Sequence, residues 1–210
     1  MTVAFKICGL STPETLDAAV AAGAAWAGLV FFPKSPRNVA LDRAAALVRR
    51  LPERVKPVAV LVDPAPDAVE RVIASGVTTV QLHGAEPPER LAALRRPGLE
   101  LWKAVPIRTG ADLDAARRYR GVADRIVYDA KTPEGALPGG MGLRFDWRLL
   151  DGFDHPLPWL LSGGLDADNL PEAMGISGAR AVDISSGVES GPGVKDVDKI
   201  AAFGQAAARL

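Results

Sequence analysis

Eight short apolar runs alternate with eight stretches of helical spacing from one end of this chain to the other, and few folds accept that order. The runs cover residues 3–7, 26–31, 57–62, 78–82, 99–104, 125–128, 159–161 and 179–184. Each is short and mostly β-branched or apolar, as strands buried on both faces are. The helical stretches cover residues 13–22, 41–50, 66–75, 87–95, 111–119, 145–150, 170–174 and 197–208. Their starts carry the expected chemistry. Ser11-Thr12-Pro13-Glu14 offers a cap followed by a first-turn proline, and Asp42, Asp67 and Asp112 fall early in their helices, where the dipole favours them. Eight successive βα units in 210 residues predict one domain, residues 1–210, folded as a closed α/β barrel of the (β/α)8 TIM type. An open doubly wound sheet is the structural alternative. Its glycine fingerprint is missing after the first strand, where Lys6-Ile7-Cys8-Gly9-Leu10 stands.

Composition narrows the chemistry. Lys+Arg and Asp+Glu balance at 25 each, so no overall field favours nucleic acid or an anionic membrane, and any anion must be held locally. The longest uncharged stretch, 18–33, is broken by Gly23 and Gly28 and falls short of a membrane span. It also lies too far in for a signal peptide. The one cysteine leaves no internal disulfide, and the cytoplasm is the natural compartment. Cys8, His83 and His155 lack metal-ligand spacing, so no metal is expected.

A local anion site is visible in the last third. Ser162-Gly163-Gly164 and Ser185-Ser186-Gly187 each follow directly on an apolar run. The loops after strands seven and eight of such a barrel are its usual phosphate cradle, built from backbone N–H groups, and glycine lets the main chain approach the anion. A phosphorylated small molecule is the expected ligand.

Other polar residues collect at the same mouth. Alternation in the first strand puts Lys6 and Cys8 opposite Phe5 and Ile7, and the apolar set should face the helices. By the same count Gln81 and His83 share a face, as do Val127 and Asp129, and Asp183 and Ser185. Lys6 and Lys103 both read as inward, as structural partners for carboxylates. Bland readings stand beside these: a buried inert cysteine, an aspartate capping a turn, a histidine bonding a neighbouring strand end, a solvated loop arginine at Arg37.

Seven segments then match one family in order and at the barrel positions above. Lys6-Ile7-Cys8-Gly9, Phe32-Pro33-Lys34-Ser35-Pro36-Arg37, Val80-Gln81-Leu82-His83-Gly84, Asp129-Ala130-Lys131-Thr132-Pro133, Phe145-Asp146-Trp147, Leu161-Ser162-Gly163-Gly164-Leu165 and Val182-Asp183-Ile184-Ser185-Ser186-Gly187-Val188-Glu189 closely resemble phosphoribosylanthranilate isomerase. The resemblance runs from residue 4 to about 196. It implies a cofactor-independent Amadori rearrangement in tryptophan biosynthesis that converts N-(5-phosphoribosyl)anthranilate to an open-chain 1-deoxyribulose 5-phosphate. It also implies Cys8 as general base and Asp129 as general acid, with Arg37 holding the anthranilate carboxylate. His83, Asp183 and the cradle residues Ser162, Gly163, Gly164, Ser185, Ser186 and Gly187 complete the substrate site, and a monomer or weak homodimer suffices. A free thiol titrates at about 8.5 and a free aspartate at about 3.9, so an ideal pair has the first lowered, by Lys6, and the second raised, by closure of a lid.

That lid is the Gly- and Pro-rich stretch 130–144 after the sixth strand. It departs from the family pattern, which commonly has a small polar residue where Met141 stands, after Gly135-Ala136-Leu137-Pro138 and Gly139-Gly140. Two rivals remain. One is a histidine-pathway isomerase with the same chemistry, whose pattern resembles two aspartates in place of Cys8 and Asp129. The other is a barrel without activity serving as a scaffold.

Overall fold

The computed structural model describes residues 3–133, 135 and 139–210, and its eight parallel strands close on one another in sequence order. They are β1 (Ala4–Cys8), β2 (Trp26–Phe31), β3 (Lys56–Leu61), β4 (Thr79–Leu82), β5 (Glu100–Ile107), β6 (Arg125–Ala130), β7 (Trp159–Leu161) and β8 (Ala181–Ile184). The ring is completed by β8 against β1, where Lys6 lies opposite Asp183. The helices are α1 (Pro13–Ala21), α2 (Leu41–Arg50), α3 (Pro66–Ile73), α4 (Pro88–Leu94), α5 (Gly110–Leu113), α6 (Leu170–Ser177) and α7 (Val197–Ala208). Among the described residues no helix is long and apolar enough to cross a membrane.

The (β/α)8 expectation holds, with local differences that have physical causes. The stretch expected as one helix over 111–119 is α5 followed by a 3₁₀ segment, Asp114–Tyr119. The stretch over 145–150 is only a 3₁₀ turn, Trp147–Leu150, whose cap is Asp146. α6 runs past its expected end at residue 174 and stops where Gly178 takes φ 68°, a left-handed cap. A two-stranded hairpin, β9 (Glu189–Gly191) and β10 (Val194–Lys195), was not expected and follows β8. Thr12 does cap α1, its Oγ1 accepting from Thr15 N at 3.3 Å.

The core has two layers of different character. Outside the sheet, Phe5, Ile7, Leu29, Leu61, Leu82, Tyr128 and Ile184 pack against helix residues such as Leu16, Leu47 and Phe203. Inside it, Trp26, Val58, Trp102, Ala104, Val127 and Leu160 form a separate plug. Trp26 and Trp102 meet edge to face at 5.4 Å, and the Arg125 guanidinium lies over both rings. Above this plug the interior turns polar, with Lys6, Gln81, Asp129 and Asp183 all buried. The apolar layer thus forms the floor of the site, at the end of the barrel where such sites are built.

Candidate active site

A cavity of about 510 Å³ opens at the C-terminal ends of the strands. Cys8, Arg37, His83, Asp129, Ser162, Asp183, Ser185 and Ser186 all line it. Strand parity accounts for this convergence: Cys8, Asp129 and Asp183 stand at or near the ends of β1, β6 and β8 with their side chains inward, as the alternation predicted.

Cys8 sits above a buried ion pair. Lys6 Nζ donates to both Asp183 oxygens, at 2.9 and 2.8 Å, with Lys6 wholly buried. Gly28 makes room for it, since a Cβ there would lie 2.9 Å from Lys6 Cε and 2.9 Å from Cys8 Cα. Burial alone would lower the Lys6 pKa. The Asp183 carboxylate and the Cys8 sulphur beside it raise it instead. Cys8 departs from expectation: its thiol is pushed up rather than lowered, because burial outweighs the pull of Lys6, and the nearby Asp183 charge pushes the same way. A lysine whose charge is already shared with a carboxylate cannot lower a neighbouring thiol as a free one would.

Asp129 is held from two sides. Its Oδ1 accepts from Ala130 N at 2.9 Å, and Oδ2 lies 3.1 Å from His83 Nε2. The other ring nitrogen of His83, Nδ1, faces the Gln81 amide nitrogen at 3.4 Å. With that amide donating, Nδ1 accepts and Nε2–H donates to Asp129. The lid crosses directly above: a Cβ on Gly139, at φ +72°, would meet Asp129 Oδ2 and His83 Cε1 at 3.0 Å.

Arg37 is not a solvated loop arginine. Its Nε and Nη2 donate to the two Glu189 oxygens at 2.7 Å each, and Nη2 also reaches Gly140 O at 3.0 Å. Glu189 accepts a further 2.6 Å bond from buried Lys195. Burial would raise the Glu189 pKa, but the hydrogen bonds from Arg37 and Lys195 hold it below the usual carboxylate value. Lys195 itself is pushed down by burial, which its carboxylate partner only partly offsets.

The two loops of the candidate cradle meet, although Gly187 and Ser185 take other parts. Ser162, Gly163, Gly164, Ser185 and Ser186 line a small adjoining cavity of about 20 Å³ together with Gly142 and Leu143 of the lid. That volume holds roughly one water. Arg144 fixes the lid there by donating to Gly164 O at 3.0 Å and to Asp166 at 3.2 Å. Gly163 and Gly164 have φ +94° and +63°. Gly187 lines neither cavity. A Cβ on it would lie 1.9 Å from Leu165 O, so its glycine serves the close approach of the two loops. The Ser185 hydroxyl points inward, donating to Cys8 O at 3.1 Å and meeting Lys195 Nζ at 3.2 Å. Lys103, expected inward, faces the helices, bonded to Glu86 at 3.0 Å, because its neighbours Trp102 and Ala104 fill the interior. The part of the lid at Glu134 and at Ala136, Leu137 and Pro138 lies outside the described residues.

The sequence reading missed Glu189, Lys195 and Glu86 as members of this architecture. The first two had a signal: Gly191-Pro192-Gly193 reads as a turn, and it places Glu189 across from Lys195 in the hairpin register.

A closed barrel with paired acid–base candidates and a glycine-lined candidate anion cradle fits a class, the single-domain barrel enzymes that act on small phosphorylated substrates. The comparisons make this particular. The family described as N-(5'-phosphoribosyl)anthranilate (PRA) isomerase matches residues 5–206, and the chain belongs to it. The isomerase of Zymomonas mobilis subsp. pomaceae is 57% identical over 208 residues, 98% of each chain. That of Rhodospirillum centenum is 52% identical over 214 residues, the whole of both. The solved Thermotoga maritima isomerase superposes with TM-score 0.87 at 36% identity, covering 99% of this chain and 100% of that one. Another solved isomerase, 34% identical with TM-score 0.84 and the same coverage, is in complex with reduced 1-(o-carboxyphenylamino)-1-deoxyribulose 5-phosphate. The chain is an isomerase of N-(5'-phosphoribosyl)anthranilate in tryptophan biosynthesis.

Proposed function

We propose that the isomerisation runs between Cys8 as general base and Asp129 as general acid, with the substrate spanning the mouth from Arg37 to the glycine cradle. The observation that supports this reading is that both candidates line one cavity together with Arg37, Ser162, Ser185 and Ser186, and that the glycine turns line a smaller cavity beside it. Asp129, carrying a proton, delivers it to the furanose ring oxygen as the C1′–O bond breaks, and the anthranilate nitrogen lone pair forms the Schiff base. The Cys8 thiolate then removes the C2′ proton, giving an enolamine that tautomerises to the ketone, 1-(2-carboxyphenylamino)-1-deoxyribulose 5-phosphate. No cofactor enters either step.

His83 orients Asp129, and Asp183 keeps Lys6 beneath Cys8. Phosphate is bound mainly by the main chain of Ser162–Gly164 and Ser185–Ser186, with the Ser186 hydroxyl as an added donor and Gly187 shaping the loop. The 20 Å³ of the cradle is too little for the anion, so Gly142–Arg144 shifts outward as phosphate enters. Balanced charge leaves no field for nucleic acid, and the site as described needs no second subunit, so the reading is a cytoplasmic monomer or weak homodimer. Monomers of a dimeric Thermotoga maritima isomerase, 36% identical with TM-score 0.84, have been solved.

The test follows loss of anthranilate fluorescence with purified variants. Cys8→Ala and Asp129→Asn each lower kcat by roughly 10²- to 10⁴-fold while a product analogue still binds. Wild-type kcat in either variant removes that residue from the mechanism.

A further inference from the structure

Arg37 has five N–H donors, and most are already committed. Nε–H and one Nη2–H form the two-point contact with Glu189, and the second Nη2–H reaches Gly140 O. The fork on the Nε–Nη2 edge is thus closed to any ligand. An incoming carboxylate must approach the Nη1 side, and it gains a second bond only by displacing the Gly140 carbonyl.

Glu189 is itself over-determined. Beyond Arg37, its carboxylate accepts from Lys195 Nζ at 2.6 Å and from Gly193 N at 3.2 Å, and its backbone carbonyl accepts from Lys199 Nζ at 2.7 Å. Its side chain is 4% exposed and that of Arg37 is 11% exposed. The hairpin carrying it is pressed on the loop of Arg37, since a Cβ on Gly193 would lie 2.6 Å from Pro36 O. The cluster Arg37, Lys195 and Glu189 carries two positive charges and one negative. That excess positive charge stands in a chain of balanced charge, and Lys195 also donates to Ser185 O at 3.0 Å.

We infer that Glu189 is a positioning residue for the aromatic carboxylate of the substrate: it clamps one edge of Arg37 so that the other edge presents a fixed fork into the cavity. The inference rests on the reading of Arg37 as the carboxylate anchor. It differs from a role as mere counter-ion in the sign of its effect. A counter-ion weakens the attraction of Arg37 for the substrate, so its removal tightens binding. A clamp, once removed, leaves a long side chain to be ordered by the substrate, and binding weakens.

The experiment compares N-(5-phosphoribosyl)anthranilate with the same compound made from aniline, which lacks the carboxylate. The readout is the ratio of their kcat/KM values in wild type, Arg37→Ala, Glu189→Gln and the double variant, with inorganic phosphate inhibition alongside. Glu189→Gln should raise KM for the carboxylated substrate by roughly 10- to 100-fold with kcat little changed, and leave the aniline compound and phosphate unaffected. The double variant should be no worse than Arg37→Ala. Because Glu189→Gln strands Lys195, Glu189→Gln combined with Lys195→Met provides a neutral buried pair that keeps the fold, and the same ratio is expected of it. If Arg37→Ala loses the preference and the Glu189 variants keep or increase it, the clamp is overturned while the anchor stands. If Arg37→Ala keeps the preference, the anchor itself is wrong and the clamp falls with it.

Discussion

Two buried lysine–carboxylate pairs use the same ingredients and differ in what surrounds them. Lys6–Asp183 lies inside the barrel beneath Cys8, and Lys103–Glu86 lies outside it between β5 and the β4 loop. The Lys6 ammonium meets both oxygens of its carboxylate and the sulphur of Cys8, so burial fails to lower its pKa. Lys103 meets one carboxylate oxygen and the carbonyls of Leu82, Gly84 and Ala104. Those dipoles and Glu86 do not make up for burial, and its pKa falls. The first pair sets the electrostatics of the thiol proposed as the general base. The second ties strand ends together: Glu86 also accepts from Asp63 N at 2.8 Å and from Gly84 N, which follows His83. A buried charge is costly in either place, and only its neighbours decide whether it acts on chemistry or on shape.

The sharpest way to break this contrast is at the first pair. Lys6→Met removes the cation beside Cys8 and leaves Asp183 buried alone. The thiol rises further, and kcat at neutral pH should fall on the order of 10²-fold. Asp183→Asn acts in the opposite sense on the thiol. Removing a negative charge favours the thiolate, so the rising limb of the pH–kcat profile should move to lower pH. A limb that stays in place in Asp183→Asn would disconnect the pair from Cys8.

At the second pair the effect should fall on stability. Lys103→Met leaves Glu86 without its cation and should cost about 3–5 kcal/mol by urea unfolding, with kcat close to wild type below the new midpoint. The two pairs also respond oppositely to alkali. Lys6, raised in the fold, contributes stability fully present below the ordinary lysine value of 10.5 and lost as pH climbs through its folded pKa. Lys103, lowered in the fold, gains relative stability as pH rises from its folded pKa toward 10.5. The penalty of Lys6→Met should therefore shrink in strong alkali. That of Lys103→Met should grow on approach to 10.5, and parallel behaviour would erase the distinction.

How much of this is legible in the sequence follows from the same residues. Lys6 and Cys8 could be placed inward because β1 alternates them with Phe5 and Ile7. β5 has no such contrast: Leu101 and Val105 face the helices while Trp102 and Ala104 face the interior, so both sides are apolar and parity cannot be read. Lys103 accordingly reads as inward from the sequence but lies on the helix side, bonded to Glu86. Asp129, Asp183 and the serine–glycine turns were visible because polar residues at the ends of apolar runs stand out. The pairing of Arg37 with Glu189 spans 152 positions, and nothing local announces it. Nor could the raised thiol of Cys8 be read, since it depends first on how deeply the fold buries the sulphur and then on the opposed charges of Lys6 and Asp183.

A third contact, Lys131–Asp112, sets the lower end of the scale. It spans 3.4 Å, and the lysine side chain is 45% exposed. Such a pair is worth about 0–1 kcal/mol, so Lys131→Met should be nearly silent in urea unfolding. Asp112 has a second task. Its Oδ2 accepts from the backbone N–H of Arg108 and Thr109 at 2.9 and 2.8 Å, closing the capping box of α5. Burial would raise its pKa, but these N–H groups lower it from 3.8 to about 2. Asp112→Ala should thus cost about 1 kcal/mol where Lys131→Met costs almost nothing. A carboxylate depressed in the fold contributes stability above its unfolded pKa and loses it as pH falls through the folded value. The gap between wild type and Asp112→Ala should therefore be full above pH 4 and close as pH falls toward about 2. A gap unchanged across that window would mean the aspartate stabilises α5 by something other than its charge.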